Sequence, residues 1–236
     1  MDSFRDDGGQ VRTSPCNMTN LINELIEQGW LKTPRIIEGF QKIKREDFLP
    51  ADSKHLANSN EALPIGYGQT ISQPLTVAFM LELLQPNAGD KILDIGSGSG
   101  WTSSLLAYMV SGGELNEKLK MKNEKSEGKV IALEIVPELS AFGQNNAAKY
   151  NFVKKGIAEF ILADGLKGYE KETSYDKILV SACLQKNDIP TAWKEQLKIN
   201  GRLVCPIGNS IWLFIKKSEG EFEKFEYPGF VFVPLV

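Results

Sequence analysis

Leu-Asp-Ile-Gly-Ser-Gly-Ser-Gly, at residues 93–100, is the stretch that decides the fold of this 236-residue chain. The apolar run that contains Leu93 ends in a turn with three glycines at every second position. Apolar residues at helical spacing begin directly afterwards, at Trp101. A buried strand, a glycine-rich turn and a helix in this order are typical of a doubly wound α/β domain. Because glycine has no Cβ, the backbone of such a turn can pass close to a ligand.

The spacing of the glycines favours one kind of ligand over another. Dinucleotide-binding turns have the pattern G-x-G-x-x-G, but here Trp101 stands where the third glycine of that pattern would fall. Asp94, directly before the glycines, would repel a phosphate and suits a positively charged ligand. S-adenosylmethionine carries both a sulfonium and an ammonium, so the turn resembles a binding motif for this cofactor. On this motif alone, a glycine-rich turn without a ligand remains an alternative.

Two further acids follow the next two predicted strands. Glu134 ends the strand Lys129–Glu134, and Asp164-Gly165 follows the strand Ala158–Leu162. Each acid alone is more often a solvated strand end. Three acids that follow successive strands in βαβαβ order, however, meet in one crevice at the carboxyl edge of a parallel sheet. The sequence therefore predicts one cofactor site that contains all three.

Composition and charge exclude several classes of function. The net charge of −3 and the absence of a basic stripe argue against an obligate nucleic-acid surface. The three cysteines (Cys16, Cys183 and Cys205) form no C-x-x-C pair, which fits a reducing cytoplasm and neither a zinc site nor a disulfide framework. The single histidine, His55, has no neighbours of the metal-ligand type. No stretch has the length of a membrane span, and the acidic N-terminus is not a signal peptide.

The order of predicted elements suggests three regions. We expect a flexible N-terminus over residues 1–16, a helical cap with an active-site loop over 17–72, and the binding domain over 73–236. Asp94 and Glu134 are 40 positions apart (134 − 94), whereas strand–helix–strand units usually place the second acid about 20 residues on. The surplus lies in residues 112–128, which we interpret as a polar surface insertion. Closing strands are predicted at Gly201–Cys205, Ile211–Ile215 and Phe230–Val233.

A second motif carries a family resemblance. Leu-Pro-Ile-Gly-Tyr-Gly-Gln-Thr-Ile-Ser at residues 63–72, followed by the glycine motif, closely resembles the protein-L-isoaspartate O-methyltransferases. The Gly-Gln-Thr-Ile-Ser part is far more specific than the glycine turn, because generic methyltransferases lack it. The resemblance covers nearly the whole chain in order, except the insertion. Its further matches are Leu31–Arg35, Arg45–Pro50, Asp164–Tyr169, Tyr175–Ile178 and Phe230–Leu235.

This resemblance implies a fold, a reaction and a set of site residues. The fold is a Rossmann-like class I methyltransferase, with a mostly parallel sheet, helices on both faces and an N-terminal helical extension. The reaction is methyl transfer from S-adenosylmethionine to the free α-carboxylate of L-isoaspartyl residues in damaged proteins or peptides, which leads to their repair. The substrate carboxylate is ionised at neutral pH, so no strong general base is needed.

The resemblance also assigns roles to individual residues. Ser72 has the active-site role and orients the substrate carboxylate, Asp94 positions the methionine part, Glu134 the ribose and Asp164 the adenine. No metal is implied. The full cofactor-binding set is Gln69, Thr70, Ile71, Asp94, Gly96, Ser97, Gly98, Ser99, Gly100, Glu134, Asp164 and Gly165.

Other functions remain open at this point. The loop after the fourth strand reads Ser-Ala-Cys-Leu-Gln at residues 181–185, where the family usually has an alanine-rich loop that ends in proline. A relative that methylates another carboxylate, of a modified peptide or natural product, is one alternative, and a silent cofactor-binding homologue is another. A nucleic-acid methyltransferase is disfavoured, because no Asn/Asp-Pro-Pro-aromatic motif follows the fourth strand. We expect a cytoplasmic monomer that binds isoaspartyl proteins or peptides and neither nucleic acid nor membranes.

Overall fold

The computed structural model describes residues 18–113, 128–185 and 188–235. The α-helices of these ranges are α1 Met18–Glu27, α2 Pro34–Lys42, α3 Pro74–Leu84, α4 Trp101–Val110, α5 Pro137–Ala148 and α6 Thr191–Gln196. The strands are β1 Leu63–Gly66, β2 Gln69–Ile71, β3 Lys91–Ile95, β4 Lys129–Glu134, β5 Ala158–Leu162, β6 Tyr175–Val180, β7 Leu197–Ile207, β8 Ser210–Ser218 and β9 Glu221–Pro228. Short 3₁₀ helices cover Arg45–Phe48, Ala51–Leu56, Gly165–Lys167 and Glu170–Glu172.

The main sheet has seven strands in the order β5-β4-β3-β6-β7-β8-β9. The first five are parallel, and β8 and β9 continue from β7 as an antiparallel meander. After β3 the chain adds β4 and β5 on one side, and it then crosses to add β6 on the other side. Ligands of open α/β sheets bind at the carboxyl ends of the strands where the order reverses in this way. The predicted α/β fold with a mostly parallel sheet is confirmed, and its crevice lies beyond β3 and β6.

Local sequence explains where three of the helices begin. Helices α2, α3 and α5 each start with a proline (Pro34, Pro74 and Pro137), whose fixed φ suits the first helical position and whose missing N–H is not needed there. The side chain of Asn60 also accepts a hydrogen bond from the Leu75 amide (Oδ1···N 3.0 Å). This contact satisfies one of the free donors in the first turn of α3.

The N-terminal helices share a hydrophobic core with the main sheet. Buried side chains of α1 and α2 belong to one continuous cluster with those of α3 and α4. Phe40 of α2 packs edge-on against Trp101 at the start of α4, with their ring centroids 5.5 Å apart. The boundary predicted after residue 72, between the helical cap and the binding domain, stays a prediction. The predicted flexible N-terminus, and residues 114–127 of the predicted insertion, lie outside the described residues.

The prediction of a closing strand at Phe230–Val233 is wrong. The last strand is Glu221–Pro228, in which charged and aromatic residues are mixed along an exposed edge. A search for apolar runs misses this pattern, although charged side chains are common on edge strands. At Gly229 (φ +101°) the chain turns, and the amides of Gly229 and Phe230 donate to the carbonyl of Asn209. The segment after Phe230 is thereby released from the sheet and crosses toward β6.

Two other boundaries differ slightly from the prediction. Helix α5 ends at Ala148 rather than Asn151, and the meander strands β7 and β8 are longer than expected. Within the described ranges, no helix has the length and apolar character needed to cross a membrane.

Candidate active site

A cavity of about 720 Å³, including its open mouth, lies at the carboxyl ends of β3, β4, β5 and β6. Most of the predicted site residues line it: Gln69, Thr70, Ile71, Ser72, Gly96, Ser97, Gly98, Ser99, Glu134 and Gly165. Asp94, Gly100 and Asp164 are outside this lining. The sequence therefore predicts residues that the fold brings together from four separate segments of the chain.

Two constraints favour glycine in the turn: the backbone angle at all three positions, and close packing at the third. Gly96, Gly98 and Gly100 all have positive φ angles (+79°, +50° and +82°), which L side chains rarely adopt. A Cβ on Gly100 would lie only 2.6 Å from the carbonyl oxygen of Gly143 and 2.9 Å from its Cα. The third glycine is therefore required where α4 begins against α5, and it does not touch the cavity. Contact of Gly100 with the cofactor stays a prediction.

Four amides of the turn are already used by protein acceptors. Those of Gly96 and Ser97 donate to the Leu133 carbonyl (N···O 2.9 and 3.0 Å), and the Gly98 amide donates to Glu134 Oε2 (2.8 Å). The Gly100 amide donates to the Ser97 carbonyl (2.8 Å). A phosphate-binding turn needs such amides free to point at the anion. This turn instead binds its own acceptors, which agrees with a ligand other than a pyrophosphate.

Asp94 is a fully buried carboxyl group beneath the turn. Its Oδ2 accepts a short hydrogen bond from Ser103 Oγ (2.6 Å), while its Oδ1 has no hydrogen-bond partner among the described residues. Burial, with a smaller contribution from the charge of Glu134, raises the pKa of Asp94 to about 7 despite the opposing effect of Ser103. A nearby cation would favour the ionised form. The group is thus placed to favour a positively charged ligand through its field.

Glu134 lies in the cavity wall at the end of β4. Its Oε1 accepts hydrogen bonds from the amides of Ile135 (2.9 Å) and Val136 (3.0 Å), and Oε2 accepts one from Gly98 (2.8 Å). A carboxylate offers about four lone-pair positions. Three are occupied here, which leaves one position at Oε2 for a hydroxyl of a ligand.

Asp164 is engaged in its own turn rather than in the cavity. Its Oδ1 accepts from the Leu166 amide (3.0 Å), and Oδ2 pairs with Lys167 Nζ (3.2 Å). The neighbouring residue Gly165 does line the cavity, and its carbonyl accepts a hydrogen bond from Trp193 Nε1 (2.8 Å). Contact of Asp164 with adenine therefore stays a prediction, and its first structural role is to cap a 3₁₀ helix.

The opposite wall comes from the hairpin that β1 and β2 form. Leu63 pairs with Ile71, and the tip is formed by Gly66, Tyr67 and Gly68. All three tip residues have positive φ, so the strand turns back within a very short distance. Strand β2 and the half-buried Ser72 that follows it then face the glycine turn across the cavity.

Sequence reasoning missed a wall made by the end of the described chain. Val233, Pro234 and Leu235 line the cavity together with Ser181 and Ala182 of the loop after β6. The Cys183 amide donates to the Val233 carbonyl, and the Leu235 amide donates to the Cys183 carbonyl, both at 2.8 Å. The available signal was the family match at Phe230–Leu235, which was interpreted as a strand instead of as part of the site.

The described residues include no group of three or more His, Cys, Asp or Glu side chains that could hold a metal ion. His55 is exposed in the 3₁₀ helix Ala51–Leu56 and does not belong to the cavity lining.

The sheet order, the glycine turn and the two carboxylates behind it define a class I, S-adenosylmethionine-dependent methyltransferase fold. The family model described as protein-L-isoaspartate (D-aspartate) O-methyltransferase matches residues 16–236. The chain belongs to this family.

Individual relatives agree with that assignment. The chain is 37% identical over 220 residues to the protein-L-isoaspartate O-methyltransferase of Methanopyrus kandleri, an alignment that covers 92% of this chain and 89% of the relative. It is 40% identical over 217 residues to protein-L-isoaspartate O-methyltransferase 2 of Archaeoglobus fulgidus, with 91% and 90% covered. The fold is shared with a Plasmodium falciparum structure described as a protein-L-isoaspartate O-methyltransferase in complex with S-adenosyl-L-homocysteine. The TM-score between the two structures is 0.78 at 22% sequence identity, and the alignment covers 93% of this chain and 98% of the Plasmodium falciparum chain.

Proposed function

We propose that the protein transfers the methyl group of S-adenosylmethionine to the free α-carboxylate of L-isoaspartyl residues in proteins or peptides. Family membership supports the reaction. The observation that carries the assignment to this cavity is the position of the Gln69–Ser72 segment, which forms one wall opposite the glycine turn and Glu134. The family-specific motif and the general cofactor motif thus share a single cavity.

The residues present fit a cationic cofactor with a ribose. Ser97 Oγ is buried without a hydrogen-bond partner in the described part of the chain, and Ser97 lines the cavity. Asp94 adds a buried carboxyl group with one unpaired oxygen, and Glu134 keeps one acceptor position for a ribose hydroxyl. These residues would hold S-adenosylmethionine, which supplies an electrophilic methyl group on a sulfonium when it is bound.

The protein's own part in the reaction is to bind, orient and exclude water. A substrate carboxylate is ionised at neutral pH and is itself the nucleophile, so the site needs no proton acceptor of its own. The Ser72 hydroxyl would donate a hydrogen bond to one carboxylate oxygen and direct the other toward the methyl group. Alignment of the two reacting groups and removal of water then account for the rate.

Matched peptides test this proposal directly. We expect base-labile methyl ester formation on an isoaspartyl peptide and background signal on its aspartyl twin. Ser72→Ala should lower kcat by roughly ten- to hundredfold, since a hydrogen bond to a charged group contributes about 1.5–3 kcal/mol. Affinity for S-adenosylhomocysteine should stay nearly unchanged in that variant.

Ser111→Ala is the matched control, because this serine binds the Tyr108 carbonyl at the end of α4, away from the cavity lining. It should leave kcat at the wild-type value. Equal background signal on both peptides, in a protein that binds the cofactor, would reject the isoaspartyl substrate. Full activity of Ser72→Ala would reject only the role of this residue.

A further inference from the structure

Arg45 is a buried arginine whose hydrogen bonds reach the candidate active site from behind. It belongs to the 3₁₀ helix Arg45–Phe48 of the N-terminal region and has no solvent-exposed surface. Burial lowers the pKa of its guanidinium to about 10. Among the described residues it forms no ion pair with a carboxylate. A charge buried in this way requires dense compensation by hydrogen bonds.

That compensation comes from four main-chain carbonyls. Nη1 donates to Ala57 (3.1 Å) and Ser59 (3.0 Å), and Nη2 donates to Glu61 (2.6 Å) and Ser72 (3.1 Å). Glu61 lies just before β1, and Ser72 directly follows β2. One guanidinium nitrogen therefore joins the two ends of the hairpin that carries Gln69–Ser72.

A second contact links Arg45 to the opposite wall of the cavity. The guanidinium carbon lies 5.4 Å from the ring centroid of Trp101, within the range of a cation–π interaction. Trp101 lines the cavity at the start of α4 and also packs edge-on against Phe40. Arg45 thus contacts both the hairpin and the residue that follows the glycine turn, although it does not itself line the cavity.

We propose that Arg45 is a positioning residue, which holds the Ser72 backbone at the base of the hairpin and so fixes the distance between Ser72 and the cofactor side of the cavity. The inference rests on the proposed function of Ser72. A guanidinium is suited to this task because its planar fork presents several donors at fixed angles. A lysine ammonium keeps the charge but cannot span the carbonyls of Glu61 and Ser72 with the same geometry.

The test is a double-mutant cycle with Arg45→Lys and Ser72→Ala, measured as kcat on an isoaspartyl peptide. We expect Arg45→Lys alone to lower kcat roughly tenfold. In the Ser72→Ala background, the same substitution should cause almost no further loss, because the hydroxyl that it positions is absent. An equal loss in both backgrounds would overturn the proposal.

Hydrogen exchange supplies a readout that does not depend on activity. Arg45→Lys should speed amide exchange at Gln69–Ile71 and leave β3 protected. The control is Lys216→Met, which removes another buried cation; it donates to the carbonyls of Lys194 and Leu197 (both 2.9 Å) and pairs with Glu219 (2.9 Å), far from the hairpin in sequence. The control should lower the melting temperature without changing kcat or exchange in the hairpin.

The outcomes separate the two proposals. Unchanged exchange at Gln69–Ile71 in Arg45→Lys would overturn the positioning role, whatever the activity. Faster exchange together with full activity of Ser72→Ala would keep the structural link and reject the catalytic assignment of Ser72, and with it the proposed effect of Arg45 on kcat.

Discussion

Gly100→Ala tests whether the third glycine of the turn is required for packing rather than for ligand contact. The new Cβ would lie 2.6 Å from the Gly143 carbonyl oxygen, whereas ordinary van der Waals contact begins at 3.4 Å. The nearest atoms, the carbonyl oxygen and Cα of Gly143, belong to the backbone of α5, so a change of side-chain rotamer cannot relieve the clash. The positive φ of +82° adds a conformational cost of about 1–2 kcal/mol for a residue with a Cβ.

The matched control is Gly220→Ala in the turn between β8 and β9. Gly220 has the same φ of +82°, but a Cβ there would meet nothing within 4 Å. Both variants therefore carry the conformational cost, and only Gly100→Ala carries the steric one. Overpacking of this kind typically costs about 1–3 kcal/mol. Gly100→Ala should consequently melt roughly 2–12 °C below Gly220→Ala.

The assay is thermal unfolding of the ligand-free protein, followed by calorimetry with S-adenosylhomocysteine. We expect weaker binding in Gly100→Ala, because any shift of α4 against α5 moves the turn that lines the cavity. Binding in Gly220→Ala should match the wild type. Equal melting temperatures for the two variants would refute the packing argument, since the shared φ would then explain the whole effect.

Three further predictions concern the carboxylates and the insertion. Because burial raises the pKa of Asp94 from 3.8 to about 7, the folded protein retains a proton that the unfolded chain releases. The free energy of unfolding should therefore fall as pH rises from about 4 to 7, and Asp94→Asn should flatten this dependence in urea titrations. Glu134→Gln should weaken S-adenosylhomocysteine binding at least about tenfold by calorimetry, whereas Glu159→Gln, which loses only a half-exposed ion pair with Lys129, should not. Replacing residues 114–127 with a short Gly-Ser linker should leave the melting temperature nearly unchanged, because loop length alters the free energy of loop closure by only about 0.6 kcal/mol per doubling. A large drop in melting temperature would contradict the interpretation of this segment as a surface insertion.

The sequence predicts the central strands and their acids well, because these depend on local patterns. Lys129–Glu134, Ala158–Leu162 and Tyr175–Val180 match the observed strands at both ends, and each is a short apolar run bounded by turn residues. The α/β class follows from their alternation with helices. These features require no knowledge of which segments meet in space.

What the sequence does not predict depends on contacts between distant segments. Glycine is needed at position 100 because the backbone of Gly143 lies against it. The carboxylate of Glu134 accepts hydrogen bonds from amides of the glycine turn and of the loop that follows β4. The wall at Val233–Leu235 forms because Gly229 turns the chain away from the sheet and the backbone then pairs with Cys183. A pattern search along one segment cannot detect such pairings.

The wall at Val233–Leu235 has a consequence for when the cavity can be completed. During synthesis, the glycine turn and the Gln69–Ser72 hairpin leave the ribosome long before this wall does. A nascent chain can therefore form β3, α4 and much of the cofactor side while the cavity still lacks one boundary. The cavity is therefore completed on this side only after residues 233–235 have emerged.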